Sequence, residues 1–166
     1  MKVRVLSAAL TGALLALCGL AIGETPWLIW NRTGSAPIGL YRLSGEAVAP
    51  GKWVSVSAES EAARWAQERG FIGRSWPLLK RIAALPGAEI CREGAAISID
   101  GAWVAVAREH DSFGREMPVW SGCHTLQKDE LFLLNAHPRS LDGRYFGPTR
   151  VQDVEGVALP VFTFER

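Results

Sequence analysis

The sequence predicts a mostly-β domain, built as coiled antiparallel sheets or a barrel, with one short helix and with one apolar helix ahead of it. Three observations carry this. Beyond residue 26 the apolar residues fall in short runs, some alternating with period two, cut by Gly- and Pro-rich turns. Asp100-Gly101 stands between two such runs, and it suits a hairpin whose two central positions need positive φ. Only one window outside the N-terminus, Ala58 to Arg69, reads as a helix. The 166 residues divide into an N-terminal segment, 1–26, and one domain, 27–166, with no repeat, linker or low-complexity tract to split it further.

The N-terminal segment reads as a membrane helix. Lys2 and Arg4 precede Val5 to Ile22, a run without charge. About 18 residues at 1.5 Å each span about 27 Å, close to the bilayer core. Positive charge before the run and Glu24 after it keep the N-terminus cytoplasmic and put the rest of the chain outside. Two fates compete. Ala21-Ile22-Gly23 would serve as a small-x-small cleavage site for a signal peptide. The length of the run and the following Trp27-Leu28-Ile29-Trp30, whose indoles suit the headgroup region, favour a retained anchor. Cys18 lacks the small preceding residue of a lipoprotein site, since Leu17 stands there.

The domain follows in short elements. Gly39 to Leu43 and Lys52 to Ser57 read as strands around a turn at Ala49-Pro50-Gly51. Ala58 to Arg69 is the helix, with Ser57 as cap, Glu59 and Glu61 in the first turn and Gly70 just past the end. Leu78 to Leu85 is a short apolar run closed by Pro86-Gly87. Glu89 to Ile99 and Trp103 to Ala107 flank the hairpin signal, and Leu131 to Asn135 and Val154 to Phe164 are further strands.

Composition excludes some classes of function. Net charge is +1 with no long basic run, so nucleic acid is not an expected partner. His110, His124 and His137 have no short ligand spacing and no C-x-x-C is present, so neither a metal nor another cofactor is expected. Cys91 and Cys123 lie in the part expected outside the cytoplasm, where they form either a disulfide or two separate buried thiols.

Three stretches carry candidate chemistry. The first, Asn31-Arg32-Thr33-Gly34-Ser35-Ala36-Pro37-Ile38-Gly39-Leu40-Tyr41, lies just beyond the expected membrane face. The second, Leu79 to Gly87, holds Lys80; period two puts Leu78, Lys80, Ile82 and Ala84 on one strand face. The third runs from Arg139 to Pro148 and holds Ser140, Asp142 and Arg144. Each alone reads as a turn serine, an edge-strand lysine or a local ion pair.

In order and spacing the three resemble the motifs of type I signal peptidases, and most closely the conjugative-transfer, TraF-type branch. Asn31, Thr33, Ser35, Pro37, Gly39, Leu40 and Tyr41 fit N-x-T-x-S-x-P-x-G-L-Y. Lys80, Arg81, Pro86 and Gly87 fit K-R-x-x-x-x-P-G, and the third stretch fits S-x-D-S-R-Y-F-G-P except at Gly143. The resemblance implies a Ser/Lys serine peptidase with Ser35 as nucleophile and Lys80 as general base. It implies an oxyanion site from the Ser35 N–H and the Thr33 hydroxyl. Ser140 would orient the lysine, and Asp142 and Arg144 would support the Ser140 loop. The implied substrate is an exported precursor, a conjugative pilin or another, cleaved at the bacterial inner membrane by a domain facing the periplasm. Inner-membrane lipid and the conjugative or type IV secretion machinery are the other implied partners. Release of the acyl-enzyme by water or by a peptide amine, giving a cyclic product, stays open.

The residue types make chemical sense. A serine hydroxyl needs a base, and a lysine serves only when neutral. Its ordinary pKa is about 10.4, and a dry site lowers it; a drop of about 2–3 units corresponds to roughly 3–4 kcal/mol. Leu78, Ile82 and Ala84 could supply such a site for Lys80, whereas Arg81 could not deprotonate. Two rivals stand beside this reading. One is a Ser35–His137–Asp142 triad. The other is a non-catalytic envelope β-domain that binds peptides or a secretion-channel component.

Overall fold

The computed structural model of the chain describes residues 27–164. The expected membrane helix and Cys18 lie outside the described residues, among which no helix is long and apolar enough to cross a membrane. In chain order the strands are β1 (Leu28–Asn31), β2 (Ile38–Ser44), β3 (Trp53–Val56), β4 (Leu78–Ala84), β5 (Glu89–Glu93), β6 (Ala96–Ile99), β7 (Ala102–Val106), β8 (Gly122–Thr125), β9 (Glu130–Leu133), β10 (Thr149–Arg150) and β11 (Val154–Phe164). Helix α1 (Glu61–Glu68) follows β3, and the one-turn α2 (Gly143–Phe146) follows β9.

The strands form two antiparallel sheets. The larger is ordered β1-β2-β11-β3-β4-β9-β10, the smaller β7-β6-β5-β8. The expectation of a mostly-β fold holds, and the larger sheet is open, with β1 and β10 at its edges. The long β11 is inserted between β2 and β3, so the C-terminal strand joins the two halves of that sheet. Register shifts in β11 and β4 bend it. Val54, Val56, Leu78, Ile82, Leu131, Leu133 and Val157 make its main core with Ala63 of α1.

The structure corrects several sequence expectations. The helix expected from Ala58 with Ser57 as cap begins at Glu61, and Ser60 caps it by accepting from the Ala63 N–H at 3.2 Å. Ser57 instead forms a separate turn ahead of the helix, its hydroxyl accepting from the Glu59 N–H at 3.2 Å and its carbonyl from the Ser60 N–H at 3.0 Å. Glu89 to Ile99 is two strands, not one. Gly94, at φ 59, turns the chain so that Glu93 pairs with Ala96. Leu28–Asn31, to which the sequence reading gave no element, is a strand paired with β2, burying Ile29 and Asn31 and leaving Leu28 and Trp30 exposed. The Asp100-Gly101 hairpin is present, with φ of 49 and 76 at its two central residues. Cys91 and Cys123 sit opposite each other on β5 and β8 and form a disulfide.

Candidate active site

Lys80 lies in the middle of β4, opposite Val54 of β3. Its face of the strand carries Leu78 and Ile82, both in the core, so the side chain is drawn inward and is only 5% exposed. The amine donates to Ser140 Oγ at 3.3 Å. Burial lowers the Lys80 pKa from 10.5 to about 8; the negative charge of Asp142 works against this and the positive charge of Arg144 adds to it. Arg81, the next residue, is exposed, and its guanidinium donates to the Gly51 carbonyl at 2.8 Å.

Ser35 sits in the connection between β1 and β2. Asn31, at the end of β1, organises that connection from within. Its amide nitrogen lies 3.0, 3.1 and 2.9 Å from the carbonyls of Thr33, Ala36 and Pro37. Its Oδ1 accepts from the Thr33 N–H at 3.1 Å and from the Thr33 hydroxyl at 3.0 Å. The Tyr41 hydroxyl closes the turn on the Pro37 carbonyl at 2.7 Å. Ser35 is half-buried, and among the described residues its N–H has no intramolecular acceptor.

The third stretch supplies a buried scaffold. Asp142 caps α2, accepting from the Arg144 N–H at 3.2 Å, and pairs with Arg144 Nε at 2.8 Å. The two side chains are 0% and 3% exposed. Their remaining capacity goes to main chain: Asp142 Oδ2 accepts from the Asn135 N–H at 3.0 Å, and Arg144 donates to the Asn135 carbonyl at 2.7 Å and the Pro138 carbonyl at 3.2 Å. Gly143, where this chain departs from the family motif, leaves no room for a side chain. A Cβ there would lie 2.5 Å from Phe132 Cε2 and 2.8 Å from the Leu133 carbonyl oxygen. The close approach of α2 to β9 accounts for the glycine.

Ser35 stands where two clefts meet. One, of about 290 Å³, is lined by Ser35, Thr33, Lys80, Ser140 and Ile72 among others. The other, of about 330 Å³, is lined by Ser35, Ala36, Pro37, Ile38, Trp53 and Phe164 among others. Thus Ser35, Lys80, Ser140 and Thr33 open onto one space, although no hydrogen bond joins Ser35 Oγ to the Lys80 amine. A larger cavity, of about 490 Å³, lies between α1 and α2 and touches none of the candidate residues.

The rival triad is not assembled. His137 lines the Lys80 cleft, but its Nδ1 accepts from the Arg139 N–H at 3.2 Å. Both Asp142 oxygens are engaged by Arg144 and by the Asn135 N–H. The one cluster of metal-type donors among the described residues is Glu89, Cys91 and Cys123, and the disulfide consumes both sulfurs. Sequence reading overlooked Asn135, treated only as the last residue of a strand. It is 1% exposed and bonded to the carbonyl of Ser35 itself. Its visible signal was an amide closing the apolar run Leu131 to Leu134. Arg92, also overlooked, is buried and donates to the Arg144 carbonyl at 2.7 Å.

Comparison with known proteins gives the class. The family described as signal peptidase, peptidase S26, matches residues 3–163, and the chain belongs to that peptidase family. Within it, the chain is similar to a plasmid transfer protein TraF of Escherichia coli, 32% identical with 92% of each chain covered. It is also similar to a conjugal transfer protein TraF of Agrobacterium tumefaciens (strain 15955), 34% identical over 93% of this chain and 94% of the relative. A solved signal peptidase I from Enterococcus faecalis V583 aligns with a TM-score of 0.39 at 20% identity, covering 69% of this chain and 98% of that one.

Proposed function

We propose that this protein is a Ser/Lys endopeptidase that cuts exported precursors, with Ser35 as nucleophile and Lys80 as base and then acid. The observation that carries the reading is the buried Lys80 amine, lowered to about 8 and opening onto the same cleft as Ser35. In the first step the Ser35 hydroxyl attacks the substrate carbonyl and Lys80 takes its proton. Collapse of the tetrahedral intermediate expels the amine, which takes that proton, and leaves an acyl-enzyme on Ser35. Hydrogen bonds of this kind are often long without substrate and tighten in the complex, which accommodates the unbonded Ser35–Lys80 pair.

The Ser35 N–H is a free donor for the oxyanion. The Thr33 hydroxyl becomes a second donor by rotating away from Asn31, which now accepts it. Ser140 orients the amine, and the Asp142–Arg144 pair fixes the segment that carries it. The cleft on the Ala36–Ile38 side suits an extended peptide beside a strand. The similarity to conjugal transfer proteins supports a precursor of the conjugation apparatus, such as a pilin, as substrate. Membership of the signal-peptidase family supports action at the inner membrane with the domain in the periplasm. Acyl transfer to a peptide amine would give a cyclic product in place of hydrolysis.

The test is incubation of the full chain in detergent with a candidate pilin precursor, beside Ser35→Ala, Lys80→Ala and His137→Ala. Mass spectrometry should show cleavage by wild type and by His137→Ala, and none by the other two. Cleavage surviving Ser35→Ala would dismiss the reading. A product lighter by one water than the cleaved linear chain would identify cyclisation.

A further inference from the structure

We propose that Asn135 is a positioning residue for this site, whose side-chain amide sets the spacing between the Ser35 loop and the strand that carries Lys80. The inference rests on the Ser35–Lys80 reading above. In the sheet, the β1–β2 hairpin and β4 are separated by β11 and β3, and no backbone hydrogen bond among the described residues joins the Ser35 loop to β4. Asn135, just past β9 on the other side of β4, spans them. Its Nδ2 donates to the Ser35 carbonyl at 3.0 Å and to the Leu79 carbonyl at 3.3 Å, and its Oδ1 accepts from the Arg81 N–H at 2.9 Å. One amide thus grips the peptide groups on both sides of Lys80 and the carbonyl of Ser35. Two acceptors and one donor around it fix which end is oxygen and which is nitrogen.

The amide is itself immobilised. Its main-chain N–H and carbonyl are held by Asp142 and Arg144, at 3.0 and 2.7 Å. The buried ion pair therefore reaches both reacting groups: Ser140, on the segment it braces, for the amine, and Asn135 for the serine. Leucine has a similar size but none of these bonds. Aspartate keeps the acceptor for Arg81 and loses both donations, and alanine loses all three. A misplacement of about 1 Å between reacting groups costs up to about 100-fold in rate.

The test uses a fluorophosphonate, which labels an activated serine without a peptide substrate. The Oγ–P bond forms, fluoride leaves, and the serine proton passes to the base. Labelling of the full chain in detergent is followed against pH for wild type, Asn135→Ala, Asn135→Asp and Ser35→Ala, with near-UV circular dichroism to confirm folding. Asn135→Ala should lower the plateau rate about 10- to 100-fold and leave the pH midpoint in place. Asn135→Asp should lower the plateau and also raise the midpoint, because a carboxylate is added to the charges of Asp142 and Arg144 that act on the amine, beside a cleft lined by His137 and Arg139. A plateau within about twofold of wild type in a folded variant overturns the inference while leaving the dyad intact. So does a midpoint in Asn135→Ala that climbs to that of an ordinary lysine, since the pocket has then merely loosened. If only Asn135→Asp folds, its plateau decides; if neither folds, the role is structural and the inference fails. Labelling that survives Ser35→Ala removes the dyad reading, and this inference with it.

Discussion

Lys80 and Ser140, 60 residues apart in sequence, meet in the interior with the amine donating to Oγ at 3.3 Å. The serine is 1% exposed and the lysine 5%, so little water competes for the bond. Among the described residues it is the only hydrogen bond the amine makes. The oxygen therefore fixes where the amine points.

Removing that oxygen should loosen the base while sparing the peptide cleft. Ser140→Ala is expected to lower kcat about tenfold or more and to change KM little, because in the proposed mechanism the lost contact serves the reacting amine. Steady-state kinetics on a precursor peptide checks this. A fall confined to 1/KM would place Ser140 in substrate binding.

Activity should rise with pH through the Lys80 pKa of about 8. On the proposed dyad the neutral amine is the working form, so below that value the rate should drop about tenfold per pH unit. A kcat/KM profile between about pH 6 and 10, with folding monitored in parallel, is the measurement. A flat profile down to pH 6 would rule out a lysine base.

Lys80 should also weaken the fold that holds it. Its folded pKa lies below the unfolded 10.5. Between about 8 and 10.5 the unfolded chain binds the proton and the folded chain does not, so this group adds stability as pH rises through that window. Below about 8 the folded chain carries a buried charge at a penalty of about 3 kcal/mol. Lys80→Met is therefore expected to abolish activity and to raise the midpoint of urea unfolding at pH 7, most of the gain vanishing above pH 10.5.

Breaking the Asp142–Arg144 pair should do the reverse. Arg144→Ala leaves a buried carboxylate without its cation and frees the Asn135 and Pro138 carbonyls. A loss of about 3–5 kcal/mol is expected in urea unfolding. The double variant Asp142→Asn, Arg144→Ala should lose less than the sum of the two single changes, because the uncompensated charge is then gone.

Much of the fold was legible because it rests on local rules. The β-branched and aromatic residues of Trp53–Val56, the positive φ required at Asp100 and Gly101, and the length of the apolar run in β11 each act over a few residues. Errors arose where a distant partner overrode a local preference. Leu28–Asn31 became a strand because β2 lies alongside it. β10 has only two residues, and its assignment depends on β9.

Candidate chemistry divides along the same line. By itself the sequence determined the residue types and their order: a serine in a rigid Gly- and Pro-containing turn, a lysine on an apolar strand face, and an aspartate and arginine close enough to pair. Chain connectivity and side-chain chemistry suffice for these. Only the tertiary structure decided that residues 35, 80 and 140 adjoin one cleft, that the amine is dry enough to be lowered to about 8, and that Asn135 ties the serine loop to the lysine strand. Proximity between residues dozens of positions apart, and the dielectric around a charge, depend on how the whole sheet closes.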